Sequence, residues 1–146
     1  MQEKKISVYV ITRFGLGQSL ENFYDREFIY LKNFLAKSIQ IQKNYITKWI
    51  ILTDIKIPNH IYEKIKKLEP QDQIYIYSHD PFLSGFIRPN ITTILKEIGA
   101  KINDKIVTIR IDADDLFSND YIKTVLNTLN TDNLINKYNK VLVDLA

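Results

Sequence analysis

No cysteine occurs anywhere in this chain, which removes disulfides, thiolate metal sites and cysteine nucleophiles in one step and fits a reducing compartment. No apolar run approaches the roughly 20 residues that a membrane span needs. The opening Met1-Gln2-Glu3-Lys4-Lys5 leads into a strand-like run with no apolar leader region. The expectation is a cytoplasmic protein without a transmembrane segment. Charge of neither sign dominates, since 20 Lys and Arg stand against 17 Asp and Glu for a net +3. No basic run gathers that excess into a stripe, and no RNP, zinc-finger or helix-turn-helix pattern appears, so nucleic acid is not an expected partner. Glycine is scarce, and no Gly-Lys-Ser/Thr exists, which excludes a Walker-type phosphate loop. Gly15 and Gly17 match part of a GxGxxG, but Leu20 stands at the third position, so a sharp turn explains them as well. His60 and His79 are isolated, and no Ser/His/Asp constellation is present.

What is present is a chain of 146 residues with 45% apolar content, one domain's worth and enough to bury a core. Four β-branched apolar runs occur, over residues 6–14 (ISVYVITRF), 48–54 (KWIILTD), 73–79 (QIYIYSH) and 105–112 (KIVTIRID). The first two are apolar on nearly every residue, as interior strands of a parallel sheet are. Helical spacing lies between them. Phe28, Leu31, Leu35 and Ile39 follow a 3–4 pattern in a segment opened by Asp25. Pro58 suits a first helical turn, with Ile61, Ile65 and Leu68 inward and Pro70 as the stop. Asn90 caps a third helix carrying Ile91, Ile94, Leu95 and Ile98, which Gly99 ends. Ser118 caps a fourth, with Ile122, Val125, Leu126 and Leu129 facing the core. Fourfold strand–helix alternation predicts an α/β domain with a mostly parallel sheet and flanking helices. Residues 127–140 read as a frayed helix end and a loop, and residues 141–146 (VLVDLA) as the start of a fifth strand. The expectation is a single domain, 1–146, truncated from a longer one.

In open α/β sheets ligands bind outside the carboxyl ends of the strands, where strand order reverses. Polar groups concentrate at that edge: Thr12, Arg13 and Phe14 after the first run, Asp54 after the second, His79 and Asp80 after the third, and Asp112-Ala113-Asp114-Asp115 after the fourth. This charged edge and the βαβ alternation predict that the 6–14 and 105–112 runs are neighbours, bringing Arg13 beside Asp112. Three carboxylates in four residues repel one another, and two unit charges about 4 Å apart cost about 4 kcal/mol at an effective dielectric near 20. A hard divalent cation would offset this, since such ions prefer carboxylate oxygen; so would an arginine or the following helix N-terminus. In the plainer alternative Asp114 and Asp115 decorate a helix start, and Asp112 pairs with Arg110 on the same strand face. An EF-hand starting at Asp112 is excluded, because Phe117 and Lys123 stand where it needs Gly and Glu. A phosphatase-type nucleophile is expected after a first strand, and here that strand ends in Thr-Arg-Phe.

Ile109-Arg110-Ile111-Asp112-Ala113-Asp114-Asp115, continuing to Tyr121, resembles the Asp-x-Asp segment of GT-A-fold (Rossmann-like) glycosyltransferases. With Val10-Ile11-Thr12-Arg13-Phe14 and Trp49-Ile50-Ile51-Leu52-Thr53-Asp54, it is similar to the putative rhamnosyltransferase family, in order from Ile6 to about Tyr121. The resemblance implies that Asp112, Asp114 and Asp115 hold Mg²⁺ or Mn²⁺ against a nucleotide-diphosphate sugar. It also implies that Thr12, Arg13, Phe14 and Asp54 surround the nucleoside, with Asp112 on the ribose and Arg88 or Arg110 at phosphate or sugar. The expected function is transfer of the sugar to an acceptor hydroxyl of a saccharide or glycan, this chain supplying the donor half without an identifiable catalytic base. The alternatives are a non-catalytic or truncated α/β module that binds a nucleotide or partner, and another Mg²⁺-dependent phosphoryl enzyme.

Overall fold

The computed structural model describes residues 6–18, 21–80, 89–101, 105–131 and 133. Among them four strands form an all-parallel sheet: β1 (Ile6–Phe14), β2 (Lys48–Asp54), β3 (Ile74–His79) and β4 (Lys105–Arg110), in the spatial order β3-β2-β1-β4. Helix α1 (Glu21–Tyr30) passes through a π-helical turn (Leu31–Leu35) into α2 (Ala36–Ile41) and so links β1 to β2. Helix α3 (Asn59–Lys66) links β2 to β3, α4 (Ile91–Glu97) precedes β4, and α5 (Tyr121–Thr131) follows it.

β1 and β2 are apolar throughout because both of their faces are covered. On one face Val8, Val10, Phe14, Trp49 and Ile51 pack with Leu31, Leu35, Ile39, Ile61, Ile65 and Ile122. On the other, Tyr9, Ile11, Ile50 and Leu52 pack with Ile94 of α4. The division follows from handedness. The chain steps outward from β1 to β2 to β3, then returns across the sheet to β4 on the far side of β1. Right-handed crossovers therefore place α1, α2 and α3 on one face and α4 on the opposite one.

The expected mostly parallel α/β architecture is present, and β1 and β2 have the expected bounds. Elsewhere the ends differ. The first helix is already formed at Glu21, and Asp25 lies on its outer side, 3.2 Å from His60 Nε2. β3 starts at Ile74 because Gln71–Gln73 form a 3-10 turn, from which the Gln73 amide donates to the Lys43 and Ile46 carbonyls. β4 ends at Arg110, although the Ile111 N–H still reaches the Ile11 carbonyl at 3.0 Å. Helix α3 closes at Lys66, short of Leu68 and Pro70, and α5 runs on to Thr131. Ser118 does not cap α5 with its side chain; its hydroxyl donates to Asp120 Oδ1. Residues 141–146, read as a fifth strand, lie outside the described residues. Among the described residues no helix is long and apolar enough to cross a membrane.

Asn90 behaves as expected, its side chain accepting from the Thr92 and Thr93 N–H groups. At the other end Gly99 has φ +97°, and the Gly99 and Ala100 N–H groups return to the Lys96 and Leu95 carbonyls, the paired bonds of a Schellman closure. Replacing Asn90 by Ala removes the cap without opening a cavity, since the residue is exposed. The expected loss is about 1 kcal/mol of stability, read as a lower urea midpoint at constant slope.

Candidate functional site

Strand order reverses between β1 and β4, and the carboxyl edge there is where an open α/β sheet binds ligands. Two segments meet at that edge. From β1 comes Arg13, an exposed residue between two whose side chains are fully enclosed, Thr12 and Phe14. From β4 the chain continues through Ile111 into Asp112, then folds into a turn closed by the Asp115 N–H on the Asp112 carbonyl at 3.1 Å. Arg13 Nη2 lies 3.4 Å from Asp112 Oδ1, with the two side chains 42% and 60% exposed. An ion pair this open to solvent is worth at most about 1 kcal/mol.

The acidic turn is held from beneath. Ala113 and Phe117 are buried in the core shared with α1 and α2, while Asp112, Asp114 and Asp115 face outward. Phe117 also stacks on Tyr121, ring centroids 4.8 Å apart. Its N–H donates to Ser38 Oγ at 3.3 Å. Gln42, only 1% exposed, donates to the Ser118 carbonyl at 2.9 Å and accepts from the Ile122 N–H at 2.8 Å. Two polar residues around the end of α2 thus bond backbone groups on both sides of the α5 N-terminus: the Ser118 carbonyl also accepts from the Tyr121 N–H at 3.1 Å, whereas the Phe117 and Ile122 N–H groups rely on Ser38 and Gln42. Nothing in the local sequence pattern around Ser38 or Gln42 points to this role.

The loop after β1 is fastened in the same manner. Asp54 is 4% exposed, and its two oxygens accept from the Gly17 N–H at 3.1 Å and the Lys56 N–H at 2.9 Å. The Tyr24 hydroxyl donates to the Gly15 carbonyl and reaches the Gln18 carbonyl. A Cβ on Gly15 would sit 2.2 Å from the Tyr24 ring, at φ +67°, so the close approach and the left-handed backbone both demand glycine. Burial first, and the Asp54 carboxylate second, push the Tyr24 hydroxyl up from 10.0 to about 12.

Three adjoining cavities surround the pair, and Arg13 and Asp112 border every one. The smallest, about 110 Å³, is chiefly apolar, walled by Ile11, Leu52, Ile91 and Ile111 with Arg110 at its rim. A second, of about 280 Å³, lies between the Gly15 loop, Glu27 and Asp114. The third and most open, about 540 Å³, runs past Arg110 and Asp115 to Phe117 and Tyr121.

Of the residues expected at the site, Arg13, Arg110, Asp112, Asp114 and Asp115 come together at this edge. The partner of Asp112 is Arg13 from the neighbouring strand, not Arg110, which among the described residues makes no ion pair. Thr12 is enclosed, its Oγ1 accepting from Trp49 Nε1 at 3.0 Å. The Phe14 ring belongs to the core, and the Asp54 carboxylate is taken up by backbone N–H groups. The side chains of these three are buried, and Phe14 also borders the second cavity. Arg88 lies outside the described residues. Among those described, no three His, Cys, Asp or Glu side chains are placed to hold a metal by themselves. Asp114 and Asp115 border different cavities on either side of Asp112.

The all-parallel sheet with flanking helices and an acidic turn at its switch point is consistent with a Rossmann-like fold of the GT-A type. A sequence model of the family described as putative rhamnosyl transferase matches residues 22–146. The chain belongs to that family of glycosyltransferases. The match spans β2 and the acidic turn and begins after β1, so Arg13 lies before it. No curated protein and no solved structure matches the chain.

Two outcomes follow from these contacts. Gln42→Leu leaves the Ile122 N–H without its partner and takes one of two donors from the Ser118 carbonyl, which the Tyr121 N–H still reaches at 3.1 Å. It should cost about 1–3 kcal/mol of stability, measured by urea unfolding. Tyr24, which keeps its proton to higher pH when folded, stabilises the fold fully below pH 10.0, and this contribution is lost as pH rises toward about 12. Melting temperature should therefore fall less steeply over that interval in Tyr24→Phe than in the parent chain.

Proposed function

We propose that this chain is the donor-binding half of a metal-dependent glycosyltransferase that moves a sugar from a nucleoside diphosphate to an acceptor hydroxyl on a saccharide or glycan. The observation that carries the reading is the meeting of Arg13 with the Asp112–Asp115 turn at the switch point of a sheet from this family. A magnesium-type ion needs only one or two protein carboxylates when phosphate oxygens and water complete its shell. Asp112 and Asp114, which border one cavity, fit that requirement without a third ligand, and Asp115 stands on the other side. The bound Mg²⁺ or Mn²⁺ would supply charge neutralisation for the departing diphosphate.

The chain's own residues have distinct tasks in this reading. Arg13 and Arg110 offer guanidinium donors to phosphate or sugar oxygens, where charge-assisted hydrogen bonds are strongest. The apolar walls of the smallest cavity keep water from one side of the donor and so strengthen those bonds. Thr12, Phe14 and Asp54 act from behind by fixing the course of β1 and its loop. The absence of cysteine suits a reducing, cytoplasmic setting.

Calorimetry with UDP, dTDP and GDP, each in Mn²⁺ or in EDTA, tests the proposal. Binding of at least one diphosphate in Mn²⁺ and its loss in EDTA is the expected result; equal affinity in both conditions removes the metal from the reading. Asp114→Asn should abolish the metal-dependent part while leaving the melting temperature of the ligand-free chain unchanged or higher. Asp114 is exposed and, among the described residues, makes no ion pair, so the substitution takes away repulsion toward Asp112 and Asp115 and little else. A clear fall in melting temperature with metal binding intact would make the turn a structural element instead.

A further inference from the structure

Arg13 is unusual in its placement. Its neighbours Thr12 and Phe14 are fully enclosed, it pairs with Leu52 of β2, and β4 pairs with the same strand as far as Ile11, so its backbone is held on one edge and from within. Arg13 nevertheless borders all three cavities together with Asp112. The contact between them is a single one, at 3.4 Å, with both groups well exposed; it is neither bidentate nor desolvated, and so is easily exchanged. We infer that Arg13 is an exchangeable counterion for Asp112, which gives way to a divalent cation and passes to the diphosphate that arrives with it. The inference rests on the donor-binding reading and adds to it a residue that couples metal to nucleotide.

The electrostatics set the direction of that coupling. A cation approaching Asp112 is repelled by the guanidinium already beside it, so Arg13 weakens binding of the metal alone. A diphosphate reverses the sign, because its oxygens can take the guanidinium on one side and the metal on the other. Arg13 then favours the two ligands together over either one separately, and by linkage the effect is reciprocal. Arg110 does not share this behaviour, since it has no ion pair among the described residues to exchange.

The test compares the parent chain with Arg13→Gln and Arg13→Lys. Binding of Mn²⁺ alone is followed by the paramagnetic resonance signal of the free ion. Binding of the diphosphate preferred by the parent among UDP, dTDP and GDP is followed by calorimetry in saturating Mn²⁺. Arg13→Gln should bind Mn²⁺ alone more tightly, by up to about fivefold, the worth of an exposed ion pair. It should bind the diphosphate about tenfold or more weakly, the worth of a hydrogen bond to a charged group. Arg13→Lys keeps the charge without the planar fork, so its Mn²⁺ affinity should match the parent while its diphosphate affinity lies between the other two. Unchanged or weaker Mn²⁺ binding in Arg13→Gln overturns the counterion role, as does unchanged diphosphate affinity. Loss of both affinities together with a lower melting temperature makes Arg13 structural and overturns it too. If Arg13→Gln does not fold, Arg13→Lys decides: full parental diphosphate affinity overturns the role. A parent chain that binds neither Mn²⁺ nor any diphosphate overturns the donor-binding reading itself, whereas a parent that binds both without the opposed response overturns only Arg13.

Discussion

Parallel strands cannot be joined by tight turns, and their crossovers are right-handed, so the route of the chain dictates both the layers and the cleft. β1 receives β2 on one edge and β4 on the other. Because the chain goes out through β3 and comes back past β1, helices must lie on both faces. Among the described residues, the chain leaving β1 and the chain leaving β4 both turn onto the face covered by α1, α2 and α3, where Tyr24, Phe28, Ala113, Phe117 and Ile122 share one core. The candidate site lies in the gap between these two segments. The nearly unbroken apolar character of β1 is the same constraint seen from inside, since a strand covered on both faces can bury a polar side chain cheaply only where a partner is supplied, as Trp49 does for Thr12. Arg13 escapes only by standing at the strand's end.

A gap of this kind needs walls that stay in place, and here buried polar contacts supply them. Gln42 and Ser38 hold the chain between the acidic turn and α5. Asp54 and Tyr24 hold the loop after β1. Each pairs a buried side chain with backbone groups, and where the side chain is the group's partner in the fold, as Gln42 is for the Ile122 N–H, its loss costs more than the bond itself contributes. Rigidity beneath allows exposure above. The three carboxylates stand in solvent while the chain that carries them is anchored through Ala113 and Phe117.

That exposure also accounts for how three acidic groups coexist. Water screens them, the turn divides them between cavities, and one arginine sits beside the first. The arrangement is weakly compensated, not tightly paired, and therefore suits a site that exchanges ions. A buried, fully hydrogen-bonded carboxylate such as Asp54 is the contrasting case: its charge is already committed to the fold.

Much of the architecture was legible in the sequence, because it depends on near neighbours. Runs of β-branched residues placed β1 and β2 at their true bounds, Asn90 and Gly99 marked the ends of α4, and the order of strands and helices implied a parallel sheet. The clustering of acidic residues after the fourth run marked, for the same reason, the edge at which the candidate site lies. Only the tertiary structure decided which of the residues named there face the cleft. Thr12, Phe14 and Asp54 share that edge in sequence yet turn inward, because the strand's alternation and the indole of Trp49 or the Gly17 N–H claim them. For Asp112 the sequence offered two arginines, Arg13 expected beside it from a neighbouring strand and Arg110 from its own run, and the structure chose between them. Arg110 lies two residues away on the same strand, whereas Arg13, 99 residues distant in the chain, is the one brought within reach. Local periodicity says which face a side chain takes. Strand pairing across the sheet is non-local, and it alone determines which cation stands beside which carboxylate.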